Sequence, residues 1–499
     1  AVDAMPEAFV SNASISSEVS RRVADGRLRK LATRLYTRNL DDLPDDIVRR
    51  NLWSIVAGYF PGALVADRTA LELRPASDGS VCMISPRGTD IELPGAVLRP
   101  RRGGSPQEDD RPFMNQGLYL SSPARAYLDN LYPSRARGGR VPRTLARKDI
   151  EARLEQLMAS AGIDACNRLR DDARRIAEEI GRTAQWAELD RIVGALAGTG
   201  DARLTDGGAR ARARGRAYDG NRVSLFEDLF AALRQSPVPT LRPRARDGIG
   251  NATLAFFEAY FSNYIEGTEF EVEEAADIVF QGRIPQHRPA DAHDILGVWR
   301  IVSDQSEMRR TPETAADLIE ILRRRHAVVL GGRPESFPGR FKTMPNRVGA
   351  TVFVAPDAVL GTLEKGFDIY RGLASPFHRA AFIHFVVSEV HPFSDGNGRL
   401  ARIMMNAELV SANEERLVVP TVYRDNYVAA QRALSSGHSA EPYVRTLDFA
   451  WRWTAAMTWG PLDRTEARLH ACNAFDSESE AERRGVRLKM PVDDLSDMR

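Results

Sequence analysis

The sequence predicts a mainly α protein: an all-helical core with one β-hairpin, preceded by an α/β region. Three observations predict it. Apolar residues recur at helical spacing over Leu225–Leu233, Thr253–Ile265, Ala315–Leu330, His378–Val390 and Leu400–Leu409. Between Ala63 and Leu98, apolar and polar residues alternate around Asp78-Gly79 and Arg87-Gly88, which reads as β-hairpins. Val348-Gly-Ala-Thr-Val-Phe-Val354 is β-branched and bounded by Pro345 and Pro356, so it reads as a hairpin in a helical neighbourhood.

In chain order, Ser17–Leu35 reads as a helix and a short strand, and Asp45–Tyr59 as one amphipathic helix. Residues 101–110 are a polar loop. Ile150, Leu154, Leu157 and Met158 fall on one helical face. Residues 206–216, dense in glycine and arginine with no apolar face, read as a loop or linker. Four parts follow: 1–133, α/β; 134–217, a helical connector ending in the Arg/Gly-rich linker; 218–460, the helical core, with a helix at 250–267; and 461–499, a charged tail expected to fray beyond Asp476. Trp451, Trp453 and Trp459 are expected at the outer edge of the core, and His384 inside it.

With 499 residues there is room for about three folded units. A content of 43% hydrophobic and 27% charged residues excludes a disordered chain. Lys+Arg 69 against Asp+Glu 68 excludes a polycation, so a nucleic-acid role needs a local basic patch. Cys82, Cys166 and Cys472 are too scattered for a zinc site or a disulfide framework. The first residues lack the pattern of a signal peptide, and no apolar run reaches the ~20 residues of a membrane span. The expectation is a cytoplasmic protein with no membrane partner.

The chemistry concentrates in His391-Pro-Phe-Ser-Asp-Gly-Asn-Gly-Arg-Leu-Ala-Arg402, a loop between two apolar helices. Gly396 and Gly398 let backbone amides converge on an anion at a helix N-terminus. Arg399 and Arg402 add fork-shaped cations suited to phosphate. Asp395 is a lone carboxylate in cationic surroundings, a natural ligand for Mg²⁺. His391 is the nearby group able to accept a proton at neutral pH, with an ordinary pKa of ~6.5. Cradle, carboxylate and base together read as a phosphoryl- or nucleotidyl-transfer site. There is no P-loop and no H-E-x-x-H motif.

H-P-F-S-D-G-N-G-R followed by Arg402 resembles the signature of the Fic family, which transfers AMP from ATP to protein hydroxyls. The resemblance implies that His391 deprotonates a Ser, Thr or Tyr hydroxyl, Phe393 anchors the loop and Asp395 holds Mg²⁺. It gives Gly396, Asn397, Gly398 and Arg399 to the α- and β-phosphates, and Arg402 to the γ-phosphate. Gly339-Arg-Phe-Lys342 and Val348–Pro356 resemble the family's flap, in which Gly349, Thr351 and Val352 would dock a target segment as an added strand. Ala380-Ala-x-x-His384 and Arg424-x-x-Tyr427 resemble its flanking helices. Ser262-Asn-Tyr-Ile-Glu266-Gly267 is similar to its inhibitory motif, and a Glu266 carboxylate paired with Arg402 would keep the γ-phosphate out.

The first part resembles the winged-helix antitoxins of type IV abortive-infection systems through Val23–Tyr36, Ile47–Leu71 and Ser121–Leu128. Arg21, Arg22, Arg27, Arg29 and Lys30, or Arg135, Arg137, Arg140, Arg143 and Arg147, could then contact DNA phosphates. The expected activity is Mg²⁺-dependent adenylylation of a target protein, or of the chain itself, braked in cis. The alternatives are a nucleotide-sensing DNA-binding regulator and a Fic enzyme with another donor nucleotide or an AMP-removing activity.

Overall fold

In a computed structural model, residues 5–237, 240–349 and 351–491 are described, in two compact units, Ala1–Gly215 and Arg216–Arg499.

The first unit opens with an antiparallel sheet in which Leu35–Thr37 lies between Ala8–Val10 and Arg29–Ala32. Helix Ser16–Ala24 packs Val19 with Phe9, Ile15 and Leu28. The stretch expected as one helix over Asp45–Tyr59 is two, Pro44–Arg50 and Leu52–Tyr59, because Asn51 at φ −105°, ψ 12° breaks the spiral. A six-stranded mixed sheet follows, in the order Ile91–Leu93, Ala96–Arg101, Ser80–Ile84, Leu64–Val65, Leu118–Leu120, Arg111–Phe113. The expected turn at Arg87-Gly88 does not close a hairpin. Ser80–Ile84 runs parallel to Ala96–Arg101, and the tight turn is at Gly95, between Ile91–Leu93 and Ala96–Arg101.

Helices Pro123–Leu131, Arg147–Ala177 and Thr183–Leu196 share a core built on Leu128, Ile150, Leu154, Leu169, Leu189 and Ile192. Residues 134–215 therefore pack into the first unit instead of connecting two others. The expected linker contains helix Gly207–Ala213. Asp206 caps it through the Ala209 amide, Arg212 pairs with Glu155 at 3.0 Å and Ala209 is buried, so tertiary contacts override a poor helix sequence. Three arginines of the cluster proposed for DNA are held by acids of the same unit: Arg140 by Glu92, Arg143 by Asp67 and Arg147 by Glu151.

In the second unit, helices Pro376–Val390 and Asn397–Ser411 flank the motif loop. The later one is buried almost all round, because it serves two cores. Leu400 and Met404 join Phe226, Phe382, Phe385 and Trp451, while Ile403 and Ala407 join Leu254, Phe257, Val298 and Trp453. Trp451 and Trp453 are thus fully interior, not at the edge as expected. The tail does not fray at Asp476. Leu469, Cys472 and Ala474 lie in the second core, and helix Glu478–Arg484 starts from a capping box at Ser477. Among the described residues no helix is long and apolar enough to cross a membrane.

Candidate active site

Helix Pro376–Val390 stops because His391 turns left-handed, φ 51° and ψ 58°, and Pro392 follows. Phe393 plunges into the core, stacked on the His326 ring at 3.7 Å. Gly396, at φ 74°, begins the next helix, and a Cβ there would strike Leu330 at 2.3 Å, so glycine is required twice over. The Asn397 side chain staples the loop, accepting from the Phe393 amide and donating to the Phe393 carbonyl, both at 2.9 Å. Of the groups expected to meet phosphate at Asn397, this leaves the backbone amide.

His391 Nδ1 lies 3.2 Å from the Ser388 carbonyl, which can only accept. Nδ1 therefore carries the proton and Nε2 keeps its lone pair. The ring lies flat against Phe353, centroids 3.8 Å apart. Burial pushes its pKa down to about 4, against the pull of the Ser388 carbonyl, so the imidazole is neutral at physiological pH. The half-exposed Asp395 carboxylate accepts from the Gly396 amide at 2.6 Å.

The two arginines are both held by acids. Arg399 meets Asp294 at 2.7 Å and the Asn263 amide oxygen at 3.3 Å, and Arg333 clasps the same aspartate. Arg402 donates to the Ser262 hydroxyl at 3.0 Å, the Ser262 carbonyl at 2.9 Å and Glu266 Oε1 at 2.7 Å. Beneath it, Arg402 meets the Tyr427 hydroxyl, which bonds His384; His384 in turn bonds Tyr443 at 2.7 Å, and Tyr443 donates to the Ala381 carbonyl. His384 is thus a buried, satisfied core residue.

Ser262 and Glu266 come from helix Gly248–Ile265 and its C-cap. Gly267, at φ 87°, ends it: the Thr268 amide reaches back to the Asn263 carbonyl at 3.0 Å. A Cβ at Gly398 would lie 2.2 Å from Glu266 Oε1, so the glutamate rests on the first turn of the post-loop helix, where an anion is favoured. Desolvation opposes this charge, but Arg402 outweighs it and holds the carboxyl below the usual glutamate range.

Glu266, Gly398, Arg402, His391, Tyr427 and Thr351 line one cavity of about 390 Å³. Thr351 belongs to a hairpin in which Arg347–Val348 pairs with Thr351–Val352 across a turn at Gly349, with Val348 and Val352 exposed. Ala350 lies outside the described residues. Lys342, buried with its pKa lowered to about 8, bonds Asn346 at 2.7 Å, and Asn346 bonds the Phe393 carbonyl. Sequence reasoning missed Asp294, His326, Asn346 and Phe353. Phe353 falls in the predicted hairpin but without an assigned role, the other three lie outside every motif read, and the site partners of all four lie tens of residues away. Among the described residues no cluster of three or more His, Cys, Asp or Glu could hold a metal.

The fold and site define a helical domain that presents a glycine turn, beside a neutral histidine, at the head of a buried helix. Residues 316–409 match the Fic/DOC family model, so this chain carries a Fic domain. Among curated proteins it is similar to protein adenylyltransferase fic-1 of Caenorhabditis briggsae, 28% identical over 198 residues that cover 38% of each chain. It is also similar to protein adenylyltransferase Fic of Drosophila willistoni, 26% identical over 247 residues, 47% of this chain and 48% of that protein. The chain thus spans less than half the length of these relatives. Among solved structures, Fic-1 of Caenorhabditis elegans aligns over 69% of this chain and 98% of its own, at 18% identity and TM-score 0.36.

Proposed function

We propose that the second unit is a protein adenylyltransferase, moving AMP from ATP to a Ser, Thr or Tyr hydroxyl of a target protein or of the chain itself, and that Glu266 brakes it in cis. One observation carries this reading: a neutral imidazole with a free Nε2, Gly398 of the glycine turn and Arg402 line one cavity, and a carboxylate of the same chain is seated on the arginine. His391 Nε2 would take the hydroxyl proton as the oxygen attacks the α-phosphorus, and pyrophosphate leaves. The amides at Gly396–Gly398 would hold the phosphates, and Arg399 would join them by exchanging Asp294 for phosphate oxygens. The exposed Asp395 carboxylate fits Mg²⁺, which takes one or two carboxylates besides phosphate and water; bound there, the ion would neutralise charge on the polyphosphate. The hairpin at Gly349, Thr351 and Val352, with its exposed valines, would receive the target as an added strand.

With Glu266 on Arg402, the γ-phosphate meets a filled site and a like charge. Labelled ATP tests the reading. The Glu266→Gly chain is expected to acquire label or pass it on, and adding His391→Ala is expected to cost about a hundredfold or more, the contribution of a general base. Label that survives His391→Ala would overturn the assignment.

A further inference from the structure

His326 is fully buried in helix Ala315–Val329, and neither its helix nor its neighbours give it a catalytic task. Its two ring nitrogens are nevertheless both engaged. Nδ1 is 2.9 Å from the Gly339 amide, at the root of the flap, and Nε2 is 3.0 Å from the Asp395 carbonyl, inside the motif loop. The Gly339 N–H can only donate and the Asp395 C=O can only accept, so one neutral tautomer satisfies both, with its proton on Nε2. Its face lies on Phe393, interplanar angle 5°.

The Asp395 carbonyl and the Gly396 amide belong to one planar peptide and point in opposite directions. Drawing the carbonyl inward to His326 turns the Gly396 N–H outward, where it meets the Asp395 carboxylate at 2.6 Å. That amide is the first of the anion cradle, and that carboxylate is the candidate metal ligand.

We propose that His326 is a positioning residue for the polyphosphate of the nucleotide: through one peptide bond it sets the orientation of the cradle, and it locks the root of the flap to the same point. This deepens, and rests on, the adenylyltransferase reading. Packing alone would make different demands. A phenylalanine would preserve the stack on Phe393 but leave the Gly339 N–H and the Asp395 C=O without this partner. The glutamine amide, whose oxygen and nitrogen reproduce an acceptor–donor pair, would keep the hydrogen bonds without the ring.

The test uses His326→Phe and His326→Gln, each in the Glu266→Gly chain, with two readouts. Without nucleotide, hydrogen exchange of the segment 391–399 followed by mass spectrometry is expected to quicken in His326→Phe and to match the parent in His326→Gln. For ATP, followed by equilibrium dialysis, Kd is expected to rise roughly tenfold to a hundredfold in His326→Phe, as the loss of two hydrogen bonds implies, and to stay within about threefold in His326→Gln. Parent-like exchange in His326→Phe, or equal loss in both variants, overturns the proposal. Should His326→Phe not fold, His326→Gln decides: parent-like exchange and affinity support the proposal, and loss of either overturns it. If the Glu266→Gly parent neither binds nor transfers from ATP, the adenylyltransferase reading fails, and the exchange comparison still decides the role of His326.

Discussion

Glu258 and Glu266 leave the same stretch of chain two helical turns apart, and both face helix Asn397–Ser411, yet they meet it differently. Glu258 Oε1 accepts from Asn406 at 2.8 Å and Oε2 from Arg416 at 2.6 Å. Arg416 also donates to the Val302 carbonyl, and Asn406 brackets the Leu417 backbone, so that end is a closed, buried network. Glu266 stands on the helix cap, bonds Arg402 through one oxygen and lines the cavity. Ser262, midway, accepts from the same arginine. Residues 258, 262 and 266 thus face 406, 402 and 398, a ladder with a rung every four residues on both helices. A buried ion pair is by itself weak evidence for stability. What separates the rungs is access: the Glu258 rung is closed within the core, whereas the Glu266 rung, the brake we propose, opens on the cavity.

The largest effect expected is therefore on rate. Glu266→Gly should raise AMP transfer or self-modification at least about tenfold, because it frees Arg402 and removes a like charge from the γ-phosphate seat. Its unfolding midpoint should stay near that of the wild type, since the glutamate caps a helix already ended by Gly267. Equal transfer rates at matched protein concentration would break the comparison at this end. At the other end, Glu258→Ala strands the Arg416 guanidinium in the core. Removing one partner of a buried pair costs about 3 kcal/mol or more, and thermal unfolding should report it as a clearly lowered midpoint without a rise in transfer. A stable, activated Glu258→Ala chain would mean that the two rungs do the same job.

Of this ladder the sequence offers one pairing, Glu266 with Arg402, through the family resemblance, and the motifs that carry it are local. The motif loop packs its cradle, carboxylate and base into twelve consecutive residues, and the Ser262–Gly267 motif exposes its spacing of four directly. Helices Gly220–Gln235, Gly248–Ile265, Ala315–Val329, Pro376–Val390 and Asn397–Ser411 follow from apolar periodicity, whereas helices such as Pro289–Val302 and Val359–Tyr370 do not. What escapes is non-local. Asp294 neutralises Arg399 from a helix more than a hundred residues upstream, and nothing around Asp294 marks it as other than a surface acid. Phe353 lies on His391 only because the hairpin folds back, and the pKa of about 4 follows from that burial, not from the motif. In the first unit the alternation announces strands but not their pairing. The parallel match of Ser80–Ile84 with Ala96–Arg101 depends on a crossover that periodicity does not encode. Helix Gly207–Ala213 was hidden for the opposite reason: its composition argues for a loop, while the Glu155 partner of Arg212 is a tertiary fact.

A smaller effect probes the middle rung. Ser262→Ala removes the hydroxyl that accepts from Arg402 Nε but leaves the Ser262 carbonyl and Glu266 in place. Losing one of Arg402's three hydrogen bonds on this side, about 1 kcal/mol net with the Ser262 carbonyl and Glu266 still holding the arginine, should raise basal transfer about fivefold, well short of Glu266→Gly. An increase as large as that of Glu266→Gly would assign the brake to the serine.

The smallest effect expected is that of pH on the brake. Arg402 holds the Glu266 carboxyl below the usual glutamate range, so the pairing is complete above an ordinary glutamate pKa and is lost only as pH falls through the depressed folded value. His391, with its pKa lowered to about 4, loses its neutral form only near that pH, and its capacity as a base falls with it. Between about pH 8 and pH 5.5 neither group titrates, and the ratio of Glu266→Gly to wild-type transfer should stay flat. Below that range both rates should fall together as the imidazole protonates, instead of the wild type rising as its brake lets go. A wild-type rate that climbed toward the Glu266→Gly rate between pH 7 and pH 5.5 would place the Glu266 carboxyl in the ordinary or raised range. The Glu266 rung would then be a proton switch, a role that its opening on the cavity allows and the closed Glu258 rung does not share.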